Sequence, residues 1–394
     1  METSPTNSES SDVARKFLIA GYSGAGNIGD ELMLASLLRL LRHEYPGAGL
    51  CVISFNPHLT KEIHGVPSVS THTPDVLEAL RDADTVILGP GGIFHDARPP
   101  ESRTHQSGVS FYGALASETI ATGRTMAAIG VSLGPLTTPT ARRIASEISA
   151  TADPLVLRDA VSSNGRGIVA PDLGWLGDPV EASHADRTAT LAVAARSWGA
   201  PAESNAVAMS ISAALDALIE DGVFSDIVFV AMEEGRGASD ATYARQVMEL
   251  MLHRDHSSVR VPATVEEAQD ALGSVDVVLA MRFHGVLLAA AAGVPTVAVA
   301  YAEKVSSLMA ELKQPDRCLG IDAAPLGIVA AVKAAAEADD TGKAHVTRLR
   351  AAADSSYHSA IAAIPQPNLP IGAPSRIRFD RKRYGDALRI RMGR

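Results

Sequence analysis

The chain has 394 residues, enough for two domains of ordinary size, and 46% of them are hydrophobic, enough to build their cores. A net charge of −10 excludes a general nucleic-acid binder, and an aromatic content of 4% argues against an aromatic-lined groove for sugars or single strands. The two cysteines, Cys51 and Cys318, are far apart and give neither a disulfide framework nor a cysteine-based zinc site, which fits a reducing compartment.

Residues 1–12 are polar and rich in Ser and Thr, without the apolar core of a signal peptide, and read as a disordered leader. The run Lys16-Phe17-Leu18-Ile19-Ala20-Gly21 predicts a first strand. The loop Gly24-Ala25-Gly26-Asn27-Ile28-Gly29 then opens a helix carrying Leu32, Leu34, Leu37, Leu38 and Leu41. Strand, glycine loop and helix make a phosphate-type cradle. The second strand, 50–55, ends in Asn56 with no acidic residue for a ribose, and no Gly-Lys-Ser/Thr follows the loop, so a Walker site is excluded. Asp30 and Glu31 suit a helix start whatever their function.

Strands are expected at 84–89, 126–131, 154–157 and 167–170, each ending in a loop with Gly, Pro or charge. Gly91 and Gly92 form a second glycine turn before Asp96, and the segment 97–108 is long enough to cover a site. Arg158-Asp159 and Pro171-Asp172 close two short strands. This rhythm gives one doubly wound domain over residues 13–180. A polar linker at 178–188 leads to a second domain, 181–364, which opens with the run Leu191 to Trp198 and has strands at 226–231, 259–261, 276–281 and 296–301. Helices are expected at 204–221, 242–253, 326–338 and 344–364.

The stretch Met281-Arg282-Phe283-His284-Gly285 lies where a buried parallel strand meets an alanine-rich helix ended by Gly293 and Pro295. Ligands of open α/β sheets bind at that edge. Arg282 offers a planar fork for phosphate or carboxylate, and His284 a proton near neutral pH. The alternative is that Arg282 pairs with a core carboxylate and His284 caps the helix. The apolar region 286–302 is too short and too broken to span a membrane, so a cytoplasmic protein is expected. The tail 365–394 ends in a basic segment: residues 376–394 hold eight basic and two acidic residues, net +6, leaving −16 on the remainder. That tail suits peripheral contact with an anionic membrane face, or packing on the protein's own acidic surface.

The ordered set Gly26-Asn27-Ile28-Gly29-Asp30-Glu31, Gly91-Gly92-Ile93-Phe94, Asp96, Gly130 to Leu136, Arg158-Asp159, Arg282-Phe283-His284-Gly285, Tyr301 and Lys304 resembles the polysaccharide pyruvyl transferase family over about residues 15–310. The resemblance implies an α/β, GT-B-like architecture, two Rossmann-like βα domains facing a central cleft. It implies a ketal pyruvyltransferase that moves the enolpyruvyl group of phosphoenolpyruvate onto two hydroxyls of a sugar in a cell-wall or exported polysaccharide precursor, with release of phosphate. Phosphoenolpyruvate is then a co-substrate, the acceptor a sugar or lipid-linked glycan, and no metal or other cofactor is expected. It casts His284 as the acid, with Arg158, Arg282, Lys304 and Gly285 around the donor. Asn27, Asp30, Gly92 and Asp96 are assigned to the acceptor side, against the alternative that these residues merely shape loops. The segment Glu233-Glu234-Gly235-Arg236-Gly237 departs from the family pattern. A GT-B glycosyltransferase using a nucleotide sugar is the alternative, for which Glu303 is the one acidic residue near the rim.

Overall fold

The computed structural model describes residues 14–96, 108–163, 165–178, 189–235, 238–338 and 342–367. The leader, the covering segment at 97–107, most of the linker and the basic tail lie outside the described residues. Strands in the first half are β1 (Lys16–Ala20), β2 (Gly49–Ser54), β3 (Ser68–Ser70), β4 (Thr85–Leu88), β5 (Gly91–Phe94), β6 (Thr125–Leu133), β7 (Leu155–Leu157) and β8 (Ile168–Val169). The second half adds β9 (Thr190–Ala194), β10 (Asp226–Val230), β11 (Glu234–Gly235), β12 (Ala238–Ser239), β13 (Ser257–Arg260), β14 (Val277–Ala280), β15 (Thr296–Ala300) and β16 (Cys318–Gly320).

The first sheet runs β3-β2-β1-β4-β6-β7-β8 with β5 on β6, and the second runs β13-β10-β9-β14-β15-β16, both wholly parallel. Central strands such as β4, β9 and β14 are buried at every position, which is why they read as unbroken apolar runs. In each sheet the order reverses beside the first strand, between β1 and β4 and between β9 and β14. At such a point the flanking loops part and leave a crevice. Gly91–Phe94, expected as a glycine turn, is instead a short strand on β6 with an irregular register.

The halves share one apolar core at the back of the cleft. Leu32, Leu37 and Leu41 of the helix Ile28–Glu44 pack in a cluster with Val286 and Leu287 of the helix Phe283–Ala292, with Trp175, and with Tyr357 of the last helix, Lys343–Ala362. Each fully buried leucine contributes about 1.5–3 kcal/mol of apolar transfer. The helix Lys343–Ala362, the last among the described residues, returns to the first half: the Tyr45 hydroxyl donates to Ile361 O at 2.7 Å, and Arg15 Nη1 donates to Ile364 O, just past the helix, at 3.1 Å.

The two halves also join at the cleft by backbone. Ile28 N–H donates to Met232 O at 3.0 Å, and Glu234 N–H donates to Gly26 O at 2.8 Å. Gly26 has φ +81°, and a Cβ there would collide with Glu234 O, so only glycine allows this approach. The departure at Glu233-Glu234-Gly235 is thus the segment that meets the glycine loop. No helix among the described residues is long and apolar enough to cross a membrane.

Candidate functional site

The facing rims of the two sheets bring most of the predicted residues together. Arg158 follows β7 directly, and its guanidinium turns inward. Nε donates to Ser132 Oγ at 2.5 Å and Nη1 to Asp172 Oδ2 at 3.0 Å, and the group lies 5.7 Å from the ring of Phe283. Gly92 is exposed, and a Cβ there would come within 3.1 Å of Arg158 Nη2, so this glycine leaves Arg158 room on its open side.

His284 is the second residue of the helix Phe283–Ala292, whose N-terminus no side chain caps. Its ring lies against Gly29, where a Cβ would overlap it. Its Nε2 stands 3.5 Å from Asp172 Oδ1, an ion-pair separation rather than a formed hydrogen bond. Burial lowers the His284 pKa and outweighs the pull of Asp172, while Arg158 and Lys304 lower it further. The free protein therefore holds a neutral imidazole. Burial alone would raise Asp172, but His284, Arg158 and the Gly174 N–H together hold its carboxyl well below the usual range. Asp172 is thus a fixed negative charge shared by Arg158 and His284.

Asp30, in the first turn of the helix Ile28–Glu44, stands on the opposite wall. Burial pushes its pKa up to about 7, against the opposing influence of Arg158 and, more weakly, Lys304. It is partly accessible to solvent but walled by protein, and the crowding dominates its titration. Lys304 is exposed at the start of the helix Glu303–Glu311, near enough to act electrostatically on both Asp30 and His284.

Arg282 is placed differently from a free cation. Nε and Nη2 grip the buried Asp240 at 2.8 and 2.5 Å, and Nη1 meets the partly buried Glu233 at 2.5 Å. Burial disfavours its charge, yet Asp240 and Glu233 hold its pKa above the ordinary value. This is the core-carboxylate pairing that the sequence left open. Gly285 is buried, and a Cβ there would meet Ala194 Cβ at 3.0 Å, so its smallness seats the helix on β9.

Two residues of the acceptor set are occupied in holding loops. Asn27 caps its helix, accepting from Gly29 N–H at 2.9 Å. Asp96 accepts from the Thr137 and Thr138 N–H groups, each at 2.7 Å. Burial would raise Asp96, but these bonds win and hold it at about 2.

Several neighbours carried no assignment from sequence. Asp172 is one, although Pro171-Asp172 sits at a strand end as Arg158 does. Tyr301, quoted in the family pattern without a role, carries Arg196 at 5.0 Å and Lys304 at 5.6 Å from its ring centroid. Burial raises the Tyr301 pKa, yet those two cations prevail and lower it. Trp198, 40% exposed, packs on Tyr301 with centroids 4.8 Å apart.

This arrangement can hold an anion between Arg158, Lys304 and uncapped helix N-termini, with one neutral histidine and one carboxyl of pKa near neutrality beside it. Solved structures with the same fold have GT-B architecture. A protein described as a UDP-N-acetylglucosamine 2-epimerase from Listeria monocytogenes superposes with a TM-score of 0.60 at 10% identity, covering 88% of this chain and 94% of that one. MnaA from S. aureus, solved with UDP, gives 0.55 at 13% identity, covering 95% and 97%. MurG from Acinetobacter baumannii gives 0.50 at 13% identity, covering 89% and 99%. No curated protein matches the chain. The family profile described as polysaccharide pyruvyl transferase matches residues 27–303, more than half of the chain and all of the facing rims from Asn27 to Glu303. The chain belongs to the polysaccharide pyruvyl transferase family.

Proposed function

We propose that the protein transfers the enolpyruvyl unit of phosphoenolpyruvate to two hydroxyls of one sugar in a cell-wall or exported polysaccharide precursor, releasing phosphate. The observation that carries this reading is the meeting of Arg158, Lys304, His284 and Asp30 at the facing rims of a chain of this family.

The donor's phosphate and carboxylate are held by Arg158, Lys304 and the N–H groups at Phe283–Gly285. Arg282 joins them by giving up Glu233, its one-point partner, while Asp240 keeps the two-point grip. The negative donor raises the His284 pKa again, so the imidazolium forms in the complex. His284 then protonates the methylene carbon of the donor. A sugar hydroxyl adds to the oxocarbenium-like carbon and gives its proton to Asp30, whose pKa of about 7 suits a base at neutral pH. The second hydroxyl displaces phosphate, giving its proton to the now neutral His284, and closes a cyclic ketal that keeps the carboxylate. In this reading Asn27, Gly92 and Asp96 shape the acceptor wall, and the basic segment 376–394 holds the protein at an anionic membrane face on the cytoplasmic side.

Calorimetry with phosphoenolpyruvate and, separately, UDP-N-acetylglucosamine tests the donor. Phosphoenolpyruvate should bind, and Lys304→Ala and Arg158→Ala should each weaken it at least tenfold, the loss of about 1.4 kcal/mol. Binding of the nucleotide sugar alone would overturn the reading in favour of a glycosyltransferase.

A further inference from the structure

Far from the cleft, the end of the helix Ile28–Glu44 meets the last helix, Lys343–Ala362, through three groups that can ligate a metal. Glu44 Oε1 is 2.6 Å from His358 Nδ1 and 3.2 Å from His43 Nδ1. One ligand atom from each residue lies within 4.8 Å of the other two. The two imidazoles stand edge to face with centroids 5.0 Å apart.

We propose that His43, Glu44 and His358 form a binding site for a divalent transition-metal ion, zinc in particular, that pins the last helix to the first. Two imidazoles and one carboxylate are a favoured zinc donor set, with water completing a tetrahedron. Zinc–ligand bonds of about 2.0–2.1 Å place tetrahedral ligand atoms about 3.4 Å apart. Two of the separations here already fall near or below that value, and side-chain rotation closes the third. The site also has an outer support. Asp354, one turn before His358, has Oδ1 3.6 Å from His358 Nε2. In the metal-free chain His358 Nδ1–H donates to Glu44; on zinc binding that proton is displaced, and the carboxylate beside Nε2 favours the tautomer whose Nδ1 lone pair faces the metal, the arrangement that orients metal-bound histidines. The pin would bridge chain positions 314 apart. It lies at the opposite end of the helix that carries Asp30, so it adds to the proposed reaction without depending on it.

The test is calorimetry of the full chain, free of any histidine tag and stripped with EDTA, titrated with zinc chloride at neutral pH. One ion per chain should bind and raise the melting temperature. The double variant His43→Ala/His358→Ala should lose that binding, and Asp354→Asn should weaken it about tenfold. Cobalt(II) in place of zinc should give the strong visible absorption of a four-coordinate site. Absence of binding to the natural chain, or undiminished binding to the double variant, would overturn the proposal. Should the double variant fail to fold by circular dichroism, Glu44→Gln decides in its place: unchanged zinc affinity contradicts the site.

Discussion

The ring of His284 lies against Gly29, so the proposed acid of one half is seated on the first helical turn of the other. That contact makes a sharp prediction for Gly29→Ala. Alanine favours a helix by about 1 kcal/mol over glycine. Here its methyl would occupy the space of the imidazole, so the variant should instead lose about 1–3 kcal/mol of stability. Denaturant unfolding measures it. An equal or raised midpoint would show that the two groups are not packed as described.

The Arg282–Asp240 pair is buried with two-point geometry. Removing Asp240 leaves the buried guanidinium only its one-point contact with Glu233, and breaking a buried pair costs up to about 3–5 kcal/mol. Asp240→Ala should lose that much in urea unfolding. A loss under about 1 kcal/mol would place the pair in water rather than in the core.

Exchange of Glu233 for the donor has its own signature. Arg282→Ala should weaken phosphoenolpyruvate binding by about 2–5 kcal/mol. Glu233→Gln should tighten it, since a competing carboxylate charge is gone. An unchanged dissociation constant in both variants would remove Arg282 from the donor site and leave it a purely structural post.

Asp30 predicts a pH dependence of stability. Its folded pKa is raised to about 7 from the ordinary value of 3.8. Between those values the folded chain binds a proton that the unfolded chain has released, so its contribution falls as pH rises. The contribution is whole below the unfolded value and lost as pH passes the folded one. Asp30→Asn removes this dependence. The variant should therefore gain stability relative to the natural chain as pH is raised from about 4 to about 7, the range set by those two pKa values. A difference that stays flat across that range would mean that Asp30 titrates as an ordinary carboxylate.

The parts of the site that sequence made legible share one physical signal. Arg158 and Arg282 each follow a buried parallel strand, and His284 opens the helix after one, where α/β sheets present ligand groups. Lys304 opens the helix after β15 in the same way. What stayed hidden depends on pairing across the chain. Asp240 lies 42 positions from Arg282, at the start of a helix with no mark of its own, and converts an apparently free guanidinium into a clamped one. Asn27 and Asp96 are polar groups at glycine turns, and sequence could not show that backbone N–H groups already engage them. Gly29 and Gly285 read as helix-start glycines; only the approach of His284 and of Ala194 shows what their missing side chains allow. The aromatic content is low, yet the fold places one exposed tryptophan, Trp198, on Tyr301 beside the cationic rim.

The most direct measurement is phosphate release from phosphoenolpyruvate across a panel of glycosides and lipid-linked sugars, with His284→Ala run in parallel. The account predicts release that requires an acceptor, disappears in His284→Ala, and leaves phosphoenolpyruvate binding to that variant within several-fold of the natural chain. Near-normal release by His284→Ala would contradict His284 as the acid. Silence across the panel, with no binding of phosphoenolpyruvate, would contradict the transfer reaction itself.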